Sequence, residues 1–153
     1  MTLVIDTAPL VALADATDPL REAIHAVLLA EEGPFIIPAP ATAEIDHMLG
    51  RRVGAAGCRA FLADLAAGRF DVACLDHADY ATVLELEDRY ADLDLGLVDC
   101  AIVVTAARAS TRRLLTLDER HFRSVRPLDG GSFVLLPTDR WATTQKRGGS
   151  GWA

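Results

Sequence analysis

The sequence predicts an α/β protein in which a parallel sheet is covered by helices on both faces. Short apolar runs alternate with longer segments of helical periodicity along nearly the whole chain. The short runs are apolar at consecutive positions, which is typical of strands buried on both faces. Hydrophobic residues make up 51% of the chain but aromatic residues only 6%. The core must therefore consist mainly of Ala, Leu and Val.

Two strands and two helices are predicted in the first 38 residues. Leu3–Ile5 is a short buried strand, and Pro9 lies in the first turn of the next helix, where proline costs no hydrogen bond. Asp18-Pro19 begins a second helix, LREAIHAVLLAEE, which Gly33-Pro34 stops. The apolar run Phe35–Pro38 is predicted to be the second strand.

The middle of the chain is predicted to contain three helices and one strand. ATAEIDHMLGRR is helical, and a glycine break at Gly54 and Gly57 separates it from the helix CRAFLADLAAG. That second helix is expected to end at Gly68, because glycine readily adopts the left-handed conformation found at helix ends. FDVACL is the third strand, and HADYATVLELEDRYADL is an amphipathic helix.

The last third of the chain begins with a nearly uniform apolar stretch, GLVDCAIVVTAARA, at residues 96–109. Its length and alanine content favour a buried helix over a strand. RRLLTLD and SFVLLP are predicted to be the fourth and fifth strands. We accordingly expect one folded domain at residues 1–138, followed by a polar, Gly-rich tail at residues 139–153.

Composition restricts the class of protein further. No apolar run is long enough to cross a bilayer, and the N-terminus lacks the pattern of a signal peptide. The three cysteines are widely spaced and show no metal-ligand pattern, so we expect a cytoplasmic protein with reduced thiols. The formal net charge is −7, which is unfavourable for binding nucleic acid unless basic residues gather locally.

Four carboxylates are predicted to meet at one edge of the sheet. Asp6 and Asp118 end strands, and Glu44 and Asp99 lie early in helices that follow crossovers between strands. Ligands of open α/β sheets bind beyond the C-terminal ends of the strands, where these side chains would lie. Asp99 is the strongest signal, because an acid within so apolar a segment must be paired, hydrogen-bonded or bound to metal.

Each of these acids also has a local structural interpretation. Asp6, Asp99 and Asp118 could cap helices, and Glu44 could stabilise the positive end of a helix dipole. Convergence of all four favours a metal site, because close carboxylates repel one another unless a cation neutralises them. Ligands that offer only oxygen suit Mg²⁺ or Mn²⁺ rather than zinc. Such a site activates water for in-line attack on a phosphodiester.

The stretches VIDTAPLVAL, AEIDHML, GLVDCAIVVTAAR and LLTLDERHF, in that order and spacing, resemble the PIN domain family. More closely, residues 2–137 resemble the VapC toxin ribonucleases of type II toxin–antitoxin pairs, and LLTLDERHFRSVRPLDGGSFVLLP is similar to their actinobacterial members. The resemblance implies a three-layer α/β/α sandwich whose central parallel sheet has four or five strands. It also implies a homodimer.

The activity implied by the resemblance is Mg²⁺- or Mn²⁺-dependent cleavage of structured RNA, either a ribosomal RNA loop or tRNA. A VapB-type antitoxin is expected to inhibit it, with its C-terminal segment covering the acidic pocket. The catalytic and metal-binding quartet of the family matches Asp6, Glu44, Asp99 and Asp118. Within that quartet, Glu44 or Asp118 is expected to accept the proton of the attacking water.

Two hydroxyl residues are expected to support the quartet. Thr116 matches a hydroxyl often present two residues before the last aspartate of the family and is expected to hydrogen-bond behind the site. Ala8 stands where the family usually has a second small hydroxyl residue, so Thr7 is expected to support the loop instead. His47 and His121 are interpreted as rim or structural residues.

Arginines near the acidic stretches are candidates for RNA binding, because a guanidinium binds phosphate in bidentate fashion. The candidates are Arg51, Arg52, Arg112, Arg113, Arg120 and Arg123. Their alternative interpretation is a set of solvated surface arginines. The alternative function is a catalytically inactive PIN module that binds RNA or a protein partner, which the intact acidic quartet disfavours.

Overall fold

The computed structural model describes residues 1–140. Within them the order of elements is β1 (Leu3–Ile5), α1 (Thr7–Ala14), α2 (Arg21–Ala30), β2 (Phe35–Pro38), α3 (Ala39–Arg52), α4 (Ala55–Ala66), β3 (Asp71–Ala73), α5 (His77–Arg89), a 3₁₀ turn (Ala91–Leu93), α6 (Leu97–Arg108), β4 (Arg113–Leu115), α7 (Glu119–Ser124) and β5 (Val134–Leu136). None of the described helices is both long and apolar enough to span a membrane.

The five strands form one parallel sheet with the order β3-β2-β1-β4-β5. Side chains of β1 alternate between the two faces, as the strand geometry requires. Leu3 and Ile5 pack into a buried cluster with helices α1 to α4, whereas Val4 packs into a second cluster with α5, α6 and α7. The predicted α/β/α sandwich is therefore confirmed, and its sheet has five strands.

The chain reverses its direction across the sheet between β1 and β4. It moves outward from β1 through β2 to β3, and then returns to place β4 on the other side of β1. Backbone hydrogen bonds continue past the strand ends, from the Asp6 N–H to the Leu115 carbonyl (2.9 Å) and from the Thr116 N–H to the Leu136 carbonyl (3.1 Å). A ligand crevice is expected at such a reversal, beyond the C-terminal ends of the strands.

The predicted glycine break before α4 is correct at Gly54 and wrong at Gly57. Gly54 has a φ of +94° and directly precedes the helix. Gly57 lies inside α4, where a Cβ atom would be only 3.0 Å from Cβ of Val53. Glycine at this position therefore permits close approach of α4 to the end of α3, and it does not interrupt the helix.

The residues at the end of the described chain still contact the domain. The Asp139 carboxylate accepts a hydrogen bond from the Leu135 N–H (2.7 Å) and forms an ion pair with Arg123. Arg140 donates through Nη1 to the carbonyl of Ala26 (2.8 Å). Of the predicted tail, residues 141–153 lie outside the described part of the chain.

Two glycine-to-alanine changes in neighbouring helices should have opposite effects on stability. Gly50→Ala should raise the free energy of unfolding by about 0.5–1 kcal/mol, because alanine is the better helix former and its Cβ would meet only Cys58 Sγ, at 3.5 Å. Gly57→Ala should lower it, because its Cβ would overlap the Val53 Cβ, which cannot move without the helix end. Urea unfolding checks both, and stabilisation by Gly57→Ala would contradict the packing argument.

Candidate metal centre

Three of the four predicted acids lie where helices begin at the C-terminal edge of the sheet. Asp6 precedes α1 and accepts the Thr7 N–H through Oδ1 (2.7 Å). Asp118 precedes α7 and accepts the His121 N–H through Oδ1 (3.0 Å). Asp99, in the first turn of α6, accepts the Gly96 N–H through Oδ2 (3.1 Å). Capping and site formation are therefore compatible, because each cap hydrogen bond uses one oxygen of its carboxylate.

The Thr116 hydroxyl links two of these aspartates through hydrogen bonds. It is buried, donates to Asp6 Oδ2 (2.7 Å) and accepts the Asp118 N–H (3.0 Å). One hydroxyl therefore fixes the orientation of the Asp6 carboxylate and the position of the Asp118 backbone. Thr7 is also buried, but its hydroxyl has no hydrogen-bond partner, so its contact with Asp6 is made by its backbone N–H.

Burial and mutual repulsion raise the pKa values of three of the acids. Burial raises the pKa of Asp6 to about 6, and the charges of Asp99 and Asp118 add to the shift, whereas hydrogen bonds from Thr116 and Thr7 oppose it. Burial also raises the pKa of Asp99, with a further contribution from Asp118. Burial raises the pKa of Glu44, and the charge of Asp99 adds to it. Asp99 therefore acts on both Asp6 and Glu44, and Asp118 acts on Asp6 and Asp99.

His121 lies within the acidic cluster, although its sequence position suggested a rim or structural residue. Ligand atoms of Asp99, Asp118 and His121 all lie within 4.8 Å of one another. His121 Nδ1 is 2.7 Å from Asp118 Oδ2 and 3.8 Å from Asp99 Oδ2. The available signal was its spacing of three residues from Asp118 in a helical segment, which places both on one face.

The donor set fits a divalent cation. The charge of Asp99 raises the pKa values of the Asp6 and Glu44 carboxyls, and His121 adds one imidazole nitrogen beside Asp99 and Asp118. Within residues 1–140, none of these four acids forms an ion pair with an arginine, in contrast to acids elsewhere in the fold. A bound cation would supply the missing positive charge, and Asp6, Glu44, Asp99 and Asp118 are the residues that could hold it.

Several arginines predicted to bind RNA are engaged away from this site. Arg113 begins β4 at the opposite edge of the sheet and forms a mostly buried pair with Glu31 (2.6 Å). Arg112 pairs with Asp129 beside it (3.0 Å). The structure therefore places Arg112 and Arg113 at the end of β4 opposite to the acids, each in an ion pair, and contact of either residue with RNA stays a prediction. The direction of the strands explains this separation. The acids lie at the C-terminal edge of the sheet, whereas Arg112 precedes β4 and Arg113 begins it.

The other four arginines differ in their surroundings. Arg52 pairs with Asp15 and Asp18 beyond the far end of α1, and Arg123 pairs with Glu119 and Asp139. Arg51 and Arg120 are exposed and form no ion pair within the described chain. Arg120 lies in the first turn of α7, two residues after Asp118, which makes it the predicted cation nearest to the acids in sequence.

Comparison with known proteins identifies relatives of the chain. Residues 3–127 match the model of the PIN domain family. The chain is 34% identical, over 135 residues, to Ribonuclease VapC26 of Mycobacterium tuberculosis, an alignment that covers 88% of this chain and 100% of that protein.

Solved structures with a similar fold include two from toxin–antitoxin systems. One is Mycobacterium tuberculosis VapC20, described as a Sarcin-Ricin loop cleaving toxin, with a TM-score of 0.72, 15% identity and coverage of 78% of this chain and 92% of that one. Another is Rickettsia felis VapBC2 bound to a promoter DNA fragment, with a TM-score of 0.64, 17% identity and coverage of 88% and 97%. At these identities the likeness concerns the fold alone.

Asp6→Asn should stabilise the metal-free protein at pH 8 and have little effect below pH 4. The folded protein binds the Asp6 proton more tightly than the unfolded chain, so ionisation lowers stability as the pH rises from about 4 to 6. The shift from 3.8 to about 6 corresponds to about 2–3 kcal/mol above pH 6. Urea unfolding in a chelator at several pH values measures the difference. The exposed Asp88→Asn is the matched control, and a pH-independent difference for Asp6→Asn would contradict the assignment.

Thr116→Val should destabilise the protein by about 1–3 kcal/mol and raise the pKa of Asp6 further. Valine has a similar shape but leaves Asp6 Oδ2 without its donor and the Asp118 N–H without its acceptor. Thr116→Ser retains the hydroxyl and should behave closer to the unmodified protein. NMR titration of the Asp6 carboxyl carbon and urea unfolding check the two effects, and equal behaviour of both variants would show that the hydroxyl is unimportant.

Proposed function

The chain belongs to the PIN domain family as a VapC-type member, and on this premise we propose that it is a metal-dependent endoribonuclease toxin. One observation carries the proposal: four carboxylates converge at the reversal point of the sheet without an arginine partner in the described chain. A purely structural cluster of acids would be expected to recruit arginines, as Asp79 does with Arg108 elsewhere in the fold, whereas the described residues place only the His121 imidazole beside Asp99 and Asp118.

Asp6, Glu44, Asp99 and Asp118 are proposed to hold Mg²⁺ or Mn²⁺. When bound, the cation supplies Lewis-acid activation of water and offsets negative charge on the phosphate under attack. Thr116 keeps Asp6 and Asp118 in place and limits the rearrangement that binding requires.

Glu44 is the proposed acceptor of the proton released by the attacking water. In contrast to the carboxylates of the three aspartates, its carboxylate accepts no hydrogen bond within the described chain, so neither of its oxygens is already engaged. Asp118 is less suited to this role, because Oδ1 accepts the His121 N–H and Oδ2 lies beside the imidazole ring.

Arg120 and Arg51 are the proposed contacts to RNA phosphates outside the acidic centre. Both are exposed and form no ion pair within residues 1–140, so their guanidinium groups can bind a phosphate without breaking an existing pair. Arg51 lies seven residues after Glu44 in α3, about 10 Å further along the helix axis. It would therefore contact a phosphate at a distance from the scissile bond.

The proposed substrate is structured RNA, with a ribosomal RNA loop as the first candidate and tRNA as the second. The resemblance to actinobacterial VapC sequences and the substrate in the description of the structural neighbour VapC20 both favour the loop. Since that neighbour is only 15% identical, tRNA belongs in the same assay.

A VapB-type antitoxin is the proposed inhibitor, and the structural similarity to a VapBC assembly supports this choice. The acidic edge is complementary to a cationic antitoxin segment, because none of its four acids has an arginine partner within the described chain. Such a segment would occupy the site in competition with the divalent cation. The homodimer expected from the resemblance stays a prediction, which light scattering of the purified protein can check.

Asp99→Asn should abolish metal-dependent cleavage, with a loss of at least about a hundredfold, because it keeps the shape of the side chain but removes its charge. The assay incubates total cellular RNA with Mg²⁺, Mn²⁺ or chelator and maps the cut ends by sequencing. Asp88→Asn, an identical change at an exposed position of α5, should retain full activity. Addition of the cognate antitoxin should inhibit the unmodified protein.

The result of this assay separates the two functions considered from the sequence. A discrete cut that requires metal and Asp99 establishes the nuclease, and its position identifies the RNA. Folded, antitoxin-free protein that cuts nothing would favour an inactive PIN module that binds RNA or a protein partner.

A further inference from the structure

We propose that His121 binds the divalent cation of this site through Nδ1, together with Asp99 and Asp118, and that this nitrogen biases the site toward Mn²⁺ over Mg²⁺. The inference rests on the proposed function, because it concerns the same site. It adds to the acidic quartet a ligand of a different chemical type.

The positions of the three side chains are suitable for shared coordination. His121 Nδ1 lies 2.7 Å from Asp118 Oδ2 and 3.8 Å from Asp99 Oδ2, and the three ligand atoms lie within 4.8 Å of one another. Ligands bound at about 2.0–2.2 Å from one ion are about 3–4 Å apart. The 3.8 Å separation lies within this range and the 2.7 Å separation lies just below it, so small side-chain rotations would bring all three atoms to one cation.

The hydrogen bonding of His121 also indicates a ligand. Its Nδ1 is buried and forms no directed hydrogen bond, although it lies 2.7 Å from Asp118 Oδ2. The side chain as a whole is only 18% exposed. A buried ring nitrogen that faces carboxylates without a directed hydrogen bond is unfavourable, and a cation bound between His121 and the aspartates would satisfy all of these groups.

The backbone of α7 fixes the point from which the His121 side chain extends. The His121 N–H donates to Asp118 Oδ1 (3.0 Å), and the His121 carbonyl accepts the Val125 N–H (2.9 Å). The Asp118 carboxylate is therefore tied to the backbone of His121. Rotation of the His121 ring leaves both hydrogen bonds intact, whereas a large movement of the Asp118 carboxylate would break the cap of α7.

A nitrogen ligand changes the metal preference of an otherwise oxygen-based site. Mg²⁺ strongly prefers oxygen donors in octahedral geometry, whereas imidazole is a common ligand of divalent transition metals. Replacing one oxygen by nitrogen should therefore weaken Mg²⁺ relative to Mn²⁺. The quartet alone predicts a smaller difference between the two ions.

The test measures binding of Mn²⁺ alone and Mg²⁺ alone to antitoxin-free protein, in the unmodified form and in two variants. His121→Asn places an amide oxygen near the position of Nδ1, and His121→Phe removes the ligand but keeps a planar ring. Calorimetry gives the dissociation constants, and pulsed electron paramagnetic resonance of bound Mn²⁺ detects coupling to an imidazole nitrogen. Circular dichroism and thermal unfolding verify that both variants are folded.

The unmodified protein should show nitrogen coupling that both variants lose. The ratio of the Mg²⁺ to the Mn²⁺ dissociation constant should fall about tenfold in His121→Asn, because an oxygen replaces the nitrogen. His121→Phe should weaken both ions.

Asp99→Asn separates failure of this inference from failure of the proposed function. If Mn²⁺ binding requires Asp99 but shows no nitrogen coupling, and the His121→Asn ratio is unchanged, the ligand role of His121 is overturned while the metal site stands. If the unmodified protein binds no Mn²⁺ at millimolar concentration, or Asp99→Asn binds it equally well, both proposals are overturned.

Discussion

The hydroxyl of Thr116 is the interaction on which the geometry of the acidic edge depends. It donates to Asp6 and accepts the backbone N–H of Asp118, while the Thr116 N–H continues the ladder to β5. The segments after β1 and β4 and the end of β5 are therefore joined by one residue that is 1% exposed. Because the direction of the chain across the sheet reverses between β1 and β4, this link spans the crevice where a ligand is expected.

In this arrangement the requirements of stability and of function conflict. The acids gain backbone hydrogen bonds as helix caps, but burial and repulsion raise the pKa values of Asp6, Glu44 and Asp99. The fold must therefore contribute enough stability from the two apolar clusters to tolerate this unfavourable electrostatic energy. The clusters occupy opposite faces of the sheet, and Val98 at the start of α6 packs against both of them, so the strands and α6 together form the base of the site.

Much of the fold and the acidic edge could be predicted from sequence, because both follow from local patterns combined with parallel strand topology. Strands of consecutive apolar residues predict a sheet covered by helices on both faces. Acids at the ends of strands predict an acidic cluster at the C-terminal edge of that sheet. The surroundings of Arg113 could not be predicted, because its partner Glu31 is 82 residues away in the chain. For His121, helical spacing predicts that it shares a helix face with Asp118, but the burial of its ring depends on how α7 packs against the rest of the fold. Gly57 suggested a break, because sequence alone does not show that α3 and α4 approach closely.

The use of site aspartates as helix caps has an evolutionary consequence. Asparagine caps helices about as well as aspartate, and a single nucleotide change converts an aspartate codon into an asparagine codon. Genes descended from an ancestor of this chain could therefore lose the charge at Asp6 or Asp118 in one step without losing the helix that begins there. The architecture gives a lineage a short mutational path from a toxic enzyme to a folded, harmless descendant that is free to acquire another role.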